Sequence, residues 1–167
     1  ILNDVVYKMV NVFNTNHTTG TVGTRLYYGD NTLQHNGISI FYNPNNNFIG
    51  VNNQFLGAYY RYNNGVSDVL ANTAALMMTK KTTFNKLIGF NENYVECFED
   101  VEYNIMCKSI GLKNIFDGTS VAYHYESTSR VLTPVKTQLE QLDLKKLHDI
   151  IDNNRIFIQD KITVINV

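Results

Sequence analysis

A short acidic stretch supplies the side chains with the clearest capacity for chemistry. Residues 97–111 read CFEDVEYNIMCKSIG, and Glu99, Asp100 and Glu102 open an otherwise apolar, helix-like run. Acids in a first helical turn complement the positive end of the helix dipole, which is a purely structural role. A carboxylate held there, at the edge of a sheet where α/β proteins bind ligands, is also suited to act as a general base. The stretch by itself leaves both interpretations open.

A histidine and a further acid follow in the segment AYHYESTSR, residues 122–130. His124 and Glu126 are two positions apart, so their side chains share one face of a regular strand. A single histidine among aromatic residues is usually a hydrogen-bonded core residue. Paired with an acid on one face, His124 could instead bind a divalent metal together with carboxylates from elsewhere in the protein.

Composition limits the classes of function. The chain has 167 residues, of which 44% are hydrophobic, enough for one domain with one sizeable core. With 14 basic and 15 acidic residues, it has no broad field that would attract nucleic acid. No apolar run reaches the roughly 18 residues of a membrane-spanning helix. Cys97 and Cys107 suit free thiols in a reducing compartment, so we expect a cytoplasmic location, with any membrane association left to other parts of a longer protein.

The hydrophobic pattern predicts the elements that position these residues. Asparagine clusters at 43–47, 52–54 and 62–64 indicate compositional bias rather than chemistry. Helical periodicity and β-forming runs predict, in order, a helix over 2–13, strands over 21–28 and near 33–41, a long loop over 42–68 with room for short strands, a buried strand over 70–79, a helix over 81–90 closed by Gly89, a helix over 98–110 stopped by Gly111, strands over 113–117 and 119–125, and a helix over 133–152. Helices alternating with strands predict an α/β fold.

Taken in order, four segments resemble a known family. They are GTVGTRLYYGDNTLQHNGISI, ANTAALMMTKKTTFNKLIGFNENY, FEDVEYNIMCKSIGLKNIF and VAYHYESTSR. Together they resemble the second half of a family 2 glycosyltransferase domain of the GT-A fold, which typically carries vGarL..pdgt.qhaG, a small-residue strand, GGFDE.y, fEDvDlc.R and HhESxSRG. The resemblance covers about residues 2–130, and its specificity lies in the ordered set of motifs.

The resemblance implies an inverting sugar transfer. In this family the aspartate of the ED pair is the usual candidate for the base that takes the proton of an acceptor hydroxyl. That role falls on Asp100, with Glu99 as a catalytic neighbour that orients the acceptor. The donor would be a nucleotide-sugar, and the acceptor a glycan, a protein or a lipid-linked molecule.

The resemblance also implies binding roles. The histidine of HhES often completes a metal shell begun by an upstream Asp-x-Asp motif, which implies that His124 binds Mn²⁺ or Mg²⁺. Asn72 and Thr73 precede the small-residue strand, where the family lines its donor-sugar pocket. Acceptor-side or mobile-loop contacts are implied for Glu126, Ser129 and Arg130. His35 matches the histidine of qhaG, and it either shapes a turn or contacts a ligand.

The chain departs from the family pattern at identifiable places. Ile88 replaces a glycine and Asn91 replaces an acid in GGFDE, while Glu102 and Lys108 replace residues of vDlc.R. These positions are mainly structural, so the fold prediction survives them and the sugar specificity stays open.

The upstream part of such a fold has no counterpart in the 167 residues. The units that bind the nucleotide and carry Asp-x-Asp would precede Ile1, so we expect a partial GT-A mixed sheet flanked by helices. Residues 1–130 would form the C-terminal half of the domain, and residues 131–167 a helix and tail that pack on it or follow it. We expect this piece alone to bind nucleotide-sugar weakly and to turn over nothing. The alternative is a non-catalytic scaffold or interaction module that has kept the fold, because tyrosine-rich loops such as GAYYRYNN (57–64) suit interfaces.

Overall fold

The computed structural model describes residues 4–59, 65–125 and 133–165. Within these ranges the α-helices are α1 (Val5–Thr15), α2 (Lys81–Lys86), α3 (Glu99–Ser109), α4 (Pro134–Asn153) and α5 (Arg155–Ile158). The strands are β1 (Thr19–Tyr27), β2 (Leu33–His35), β3 (Ile38–Asn43), β4 (Phe48–Asn53), β5 (Val66–Val69), β6 (Met77–Thr79), β7 (Lys113–Tyr123) and β8 (Ile162–Val164). Short 3₁₀ helices cover Ala74–Leu76 and Gln159–Lys161.

The described strands form two sheets. The larger has the order β2-β1-β7-β5, and β6 adds to the edge of β1 beside β2. β1 runs parallel to β7 but antiparallel to both β2 and β6, so the sheet is mixed. The smaller sheet has the order β4-β3-β8. The α/β class with a mixed sheet, predicted from the sequence, is confirmed.

Helices pack on both faces of the larger sheet. Neighbouring side chains of β1 point to opposite faces, so each contacts a different helix. Val22 packs in a cluster with Val5, Met9 and Phe13 of α1. Thr21, one position earlier, donates a hydrogen bond to Asn104 of α3 at 2.7 Å. Of the helices in the described part of the chain, none is both long enough and apolar enough to cross a membrane.

The C-terminal segment contributes to a second core. Leu147 and Ile151 of α4 are buried in a cluster with Ile38 and Ile40 of β3 and Ile105 of α3. β8 then pairs in parallel with β3. The tail therefore extends the smaller sheet. The division of the chain at residue 130 stays a prediction.

The strand predicted over 70–79 is wrong for most of its length. Ala71 makes an isolated bridge to Ile38, a 3₁₀ turn follows, and only Met77–Thr79 is a strand. The side chain of Asn104 accepts from the backbone N–H of Asn72 at 3.2 Å and donates to its carbonyl at 3.0 Å. Because α3 takes both backbone groups, residue 72 cannot join a ladder of strand hydrogen bonds.

Two other predictions on strands need revision. The strands predicted over 113–117 and 119–125 are one strand, β7, whose pairing with β1 shifts register between Thr24 and Arg25. The strand predicted near 33–41 is instead two, β2 and β3, separated at Gly37, where φ is +92°. A left-handed backbone angle of this kind suits glycine.

The helix predicted over 81–90 ends four residues earlier, at Lys86, and Ile88 rather than Gly89 is the left-handed residue that closes it. Ile88 N–H donates to Asn85 O at 3.2 Å, and Gly89 N–H donates to Phe84 O at 2.9 Å. This pair of bonds is a Schellman motif, in which the left-handed residue is usually glycine. Ile88 takes it with φ +64° and a 90% exposed side chain. Ile88 stands at the first glycine of the family motif GGFDE. A glycine takes this left-handed angle without strain, whereas a β-branched residue is strained at it.

Candidate active site

The site begins at the junction between a strained residue and α3. Phe98 precedes the helix with φ +79°, a left-handed angle that is uncommon for a residue with a side chain. The next two residues, Glu99 and Asp100, form the first turn of α3 and are half-buried. Backbone strain of this kind persists where the surrounding structure fixes it, and such places are often functional.

The carboxylate of Asp100 is held by two backbone N–H groups. Ala74 N–H donates to its Oδ2 at 2.8 Å, and its own neighbour Val101 N–H donates to Oδ1 at 2.8 Å. The first donor lies at the start of the 3₁₀ turn Ala74–Leu76, and the second lies in the first turn of α3. Each carboxylate oxygen accepts one of these bonds and keeps a second lone pair for another donor.

Burial decides the basicity of this carboxylate. The low-dielectric surroundings raise the pKa of Asp100 above its ordinary value of 3.8, although the Ala74 and Val101 N–H groups and the Thr73 hydroxyl oppose the rise. A carboxylate with a raised pKa is a stronger base than one in water, while the two N–H bonds fix its direction. Asp100 thus has the properties that a general base requires.

Asp100 lines a cavity of about 290 Å³ between α3 and the end of β4. Glu99 and Thr73 line the same cavity, so the structure brings together three of the residues singled out in the sequence. Asn52 and Asn53 of β4 line it as well, with Glu96 and Cys97 from the segment before α3. The walls therefore carry carboxylates, carboxamides and a hydroxyl, a set of groups that can hydrogen-bond a polyhydroxylated molecule.

Asn72 lies beneath this cavity rather than on its wall. Its side chain is fully buried and donates to Thr21 Oγ1 at 3.1 Å and to Ile115 O at 3.0 Å. Both bonds tie the residue to the larger sheet. The binding role predicted for Asn72 stays a prediction, while Thr73, one residue later, lies at the cavity surface.

His124 lies immediately after β7. Its N–H donates to Tyr27 O at 3.0 Å, and its ring Nδ1 is 3.0 Å from Gln34 Oε1. An Nδ1–H bond to a neighbouring oxygen is the arrangement that leaves Nε2 available to a metal. The described lining of the Asp100 cavity does not include His124.

The described residues do not complete a metal site. Across residues 4–59, 65–125 and 133–165, no group of three or more His, Cys, Asp or Glu side chains is arranged to hold a metal ion. His124 is one candidate ligand, and a cation would need further ligands from elsewhere. Glu126, Ser129 and Arg130, predicted to contact substrate, lie outside the described residues.

Three residues that sequence reasoning missed build the site. Ala74 supplies a backbone donor, Asn104 fixes the loop that carries it, and Asn53 forms part of the cavity wall. A backbone donor leaves no signal in side-chain types. Asn53 belongs to an asparagine cluster interpreted as compositional bias, and only the fold brings it to the cavity wall.

A larger cavity of about 490 Å³ lies beyond α2, lined by residues 87–92 and by Glu102, Tyr103 and Met106. None of the residues predicted to bind or catalyse is among its described lining. Asn91 donates to both carboxylate oxygens of Glu102, at 3.2 and 3.1 Å. Two of the departures from the family pattern therefore contact each other, and an amide at position 91 supplies the donor that an acid there would lack.

Comparison with known proteins gives distant similarities. No protein-family model matches the chain, and no solved structure matches it. It is 28% identical over 114 residues to the uncharacterized protein y4gI of Sinorhizobium fredii, and 25% identical over 113 residues to the O-antigen biosynthesis protein RfbC of Myxococcus xanthus. Each alignment covers 66% of this chain but only 12% and 9% of the respective relative. The chain spans about a tenth of the length of these curated relatives.

Proposed function

We propose that this chain is part of an inverting glycosyltransferase of the family 2, GT-A type, with Asp100 as the catalytic base. The observation that carries the proposal is the Asp100 carboxylate, fixed by two N–H groups on the wall of a polar cavity. The ordered motifs of the sequence support it. So does the similarity to a protein named for O-antigen biosynthesis.

The reaction follows from what a carboxylate of this kind can do. An acceptor hydroxyl in the cavity donates a hydrogen bond to Asp100, and its oxygen attacks the anomeric carbon of a nucleotide-sugar. The bond from that carbon to the diphosphate oxygen breaks on the opposite side, so the configuration inverts. The proton passes to Asp100, whose raised pKa favours its acceptance.

The other site residues have supporting roles in this proposal. Glu99 lines the cavity beside Asp100 and orients the acceptor. Thr73 borders the donor sugar, and the buried Asn72 supports the backbone beneath it. Glu126, Ser129 and Arg130 contact the acceptor. The donor is a nucleotide-sugar in the cytoplasm, and the acceptor is a glycan, a protein or a lipid-linked molecule.

The proposal includes a divalent cation, Mn²⁺ or Mg²⁺, with His124 as its ligand. Because the described residues hold no group of three or more potential ligands, no step of the mechanism is assigned to a metal. When bound, such an ion would neutralise charge on a diphosphate. The Gln34 contact to Nδ1 leaves Nε2 as the ring atom that would bind it.

The proposal is tested by replacing Asp100 with its uncharged isostere. The natural polypeptide that contains this chain is assayed with Mn²⁺ and a panel of nucleotide-sugars, for hydrolysis and for transfer. Asp100→Asn should lower the transfer rate by about 10²- to 10⁴-fold, the usual contribution of a general base, with little change in donor binding. Asp152→Asn, at an exposed position of α4, is the matched control and should transfer normally.

Near-normal transfer by Asp100→Asn would remove Asp100 from the role of base. A wild-type protein that neither hydrolyses nor transfers any donor of the panel would favour the scaffold alternative.

The metal prediction has a separate test. His124→Ala should shift the Mn²⁺ titration of transfer to higher concentration, because one ligand is lost. Gln34→Ala should cause a smaller shift in the same direction, since it only frees the ring to rotate. An unchanged titration for His124→Ala would exclude the residue as a ligand.

A further inference from the structure

One buried carboxamide contacts both segments that meet at the Asp100 carboxylate. Asn104 lies one turn after Asp100 on α3, and its side chain is fully buried. Its Oδ1 accepts from the backbone N–H of Asn72 at 3.2 Å, and its Nδ2 donates to the carbonyl of Asn72 at 3.0 Å. Nδ2 also donates to the backbone carbonyl of Asp100 at 2.7 Å. One side chain therefore joins the start of α3 to the segment before the 3₁₀ turn.

The orientation of the Asn104 carboxamide follows from its backbone partners. An amide oxygen accepts hydrogen bonds and an amide nitrogen donates them. The N–H of Asn72 can only donate and its carbonyl can only accept, so Oδ1 of Asn104 must face the first and Nδ2 the second. The Thr21 hydroxyl completes the pattern, because it accepts from Asn72 Nδ2 at 3.1 Å and donates to Asn104 Oδ1 at 2.7 Å.

The segment that Asn104 holds carries a donor to the base. Ala74 comes two residues after Asn72, and its N–H donates to Oδ2 of Asp100 at 2.8 Å. The side chain of Asn72 is bound to the larger sheet, whereas its backbone groups are bound by α3. Asn104 thus connects the segment that supplies the donor with the helix that carries the acceptor. These bonds close a ring from the Asp100 backbone through residues 72–74 to the Asp100 carboxylate.

The bond from Ala74 affects the strength of the base. Burial raises the pKa of Asp100, and the N–H groups of Ala74 and Val101 oppose the rise. The Thr73 hydroxyl opposes it as well. An N–H bond stabilises the charged form of a carboxylate, so the loss of one would raise the pKa further. Val101 follows Asp100 directly in α3, whereas Thr73 and Ala74 both belong to the segment that Asn104 holds.

We propose that Asn104 is a positioning residue of this reaction, which keeps the Ala74 N–H group bonded to Asp100 and so controls the direction and basicity of the carboxylate. The proposal rests on the function proposed above and adds a residue that contacts no substrate. Asn104 is fully buried and is not part of the described cavity lining, so it acts through Asp100. A fixed direction matters because proton transfer requires the acceptor hydroxyl within hydrogen-bond reach of the base.

The titration of the wild-type chain is measured first, because it needs no substrate. In spectra of the 167-residue chain, the Ala74 amide ¹H signal should shift with the same midpoint as the ¹³C signal of the Asp100 carboxyl group. The other titratable side chains of the described cavity lining are Glu96, Cys97 and Glu99, and their own ¹³C signals distinguish them. An Ala74 amide that does not respond to the ionisation of Asp100 would overturn the proposal.

Variants of two buried asparagines separate positioning from core packing. Asn104→Leu removes the carboxamide with little change in volume, so the midpoint of the Asp100 titration should move to higher pH as the bond from Ala74 weakens. Asn114→Leu is the matched control and should leave this midpoint unchanged. The Asn114 side chain is fully buried and bonds to Leu70 at 2.6 Å, Asn104 at 2.9 Å and Thr21 at 3.2 Å.

Kinetics of the natural polypeptide give the second measurement. Asn104→Leu should lower kcat by about tenfold, the value of one hydrogen bond, with a smaller change in KM because the residue contacts no substrate. The acid limb of the pH profile of kcat should move to higher pH, in the same direction as the titration midpoint. Asn104→Ala should change kcat and the profile in the same directions, and it replaces Asn104→Leu if that variant does not fold by thermal unfolding.

An unshifted Asp100 midpoint in a folded Asn104 variant, or an equal shift in Asn114→Leu, would overturn the proposal even if Asp100→Asn abolishes transfer. If the wild type transfers no sugar, the function proposed above fails, and the two titrations still decide whether Asn104 holds the Ala74 bond.

Discussion

Two aspartates of this protein bind backbone N–H groups, and their surroundings give them opposite acid–base properties. Asp100 accepts from two N–H groups, and burial raises its pKa. Asp143 on α4 is fully buried and accepts from three, those of Val95, Glu96 and Cys97, at 2.9, 2.7 and 3.3 Å.

Burial also acts to raise the pKa of Asp143, but the N–H bond from Glu96, the Lys146 ammonium at 2.9 Å and the bonds from Val95 and Cys97 outweigh it and lower the pKa. The N–H groups and the Lys146 cation thus outweigh burial at Asp143, whereas the N–H groups and the Thr73 hydroxyl do not outweigh it at Asp100. The comparison teaches that an acid bound by N–H groups is a candidate base only where the donors fall short of offsetting burial. Asp143 thus binds α4 to residues 95–97, the segment before α3. Asp100, on the cavity wall, keeps a raised pKa.

The largest difference between the two aspartates should be in stability. Asp143→Ala leaves three N–H groups and Lys146 without their acceptor, so we expect the free energy of unfolding to fall by about 3 kcal/mol or more. Asp100→Ala removes a carboxylate whose charged form is disfavoured by burial, and the change should stay within about 1 kcal/mol. Urea unfolding of both variants measures the two free energies of unfolding. Equal losses for the two variants would contradict the proposed difference between the aspartates.

The contributions of Asp143 and Asp100 to stability should depend on pH in opposite directions. Asp143 has a lowered pKa, so its contribution is present above its unfolded value of 3.8 and is lost as the pH falls through the lower folded value. Asp100 has a raised pKa, so its contribution is present below 3.8 and is lost as the pH rises through the higher folded value.

Unfolding free energies of the wild type, Asp100→Asn and Asp143→Asn between about pH 2 and 7 test both signs. The gap between the wild type and Asp143→Asn should narrow toward low pH. Asp100→Asn should gain stability relative to the wild type as the pH rises past 3.8. Parallel curves for the two variants would show that their carboxylates are equivalent.

The smallest effect concerns the cation beside Asp143. Lys146 is partly exposed, so solvent screens its ion pair, and Lys146→Met should lower the free energy of unfolding by only about 0.5 kcal/mol. The methionine keeps most of the packing length. Acid unfolding should move to higher pH, since the Asp143 pKa rises without the cation. A loss as large as that of Asp143→Ala would mean that the cation, rather than the N–H groups, stabilises the carboxylate.

Local patterns predicted two of the helices closely. The apolar spacing over 98–110 and 133–152 matches α3 and α4 to within one residue at most ends, because each pattern follows from which helix face is buried. The strand over 70–79 could not be predicted. Its β-forming composition was overridden by Asn104, which lies 32 residues after Asn72 in the chain.

The candidate site was predicted in part. Asp100 and Glu99 were predicted as acids at a helix start, and Thr73 was predicted from the family resemblance. All three line one cavity. Asn53 and His35 are 18 residues apart, and neither lies in a pattern that indicates contact. Their pairing depends on the β3–β4 hairpin bringing the end of β4 alongside β2.

The sequence by itself determined the mixed α/β class, the helix that carries the acidic pair and the residue types available for chemistry, because these depend on hydrophobic period and composition. Only the tertiary structure decided which aspartate is basic. The Asp100 and Asp143 side chains are identical, and their pKa values diverge because folding buries both but surrounds them with different donors, among them the Lys146 cation beside Asp143. Those donors come from distant segments of the chain, so their arrangement appears only in the folded protein.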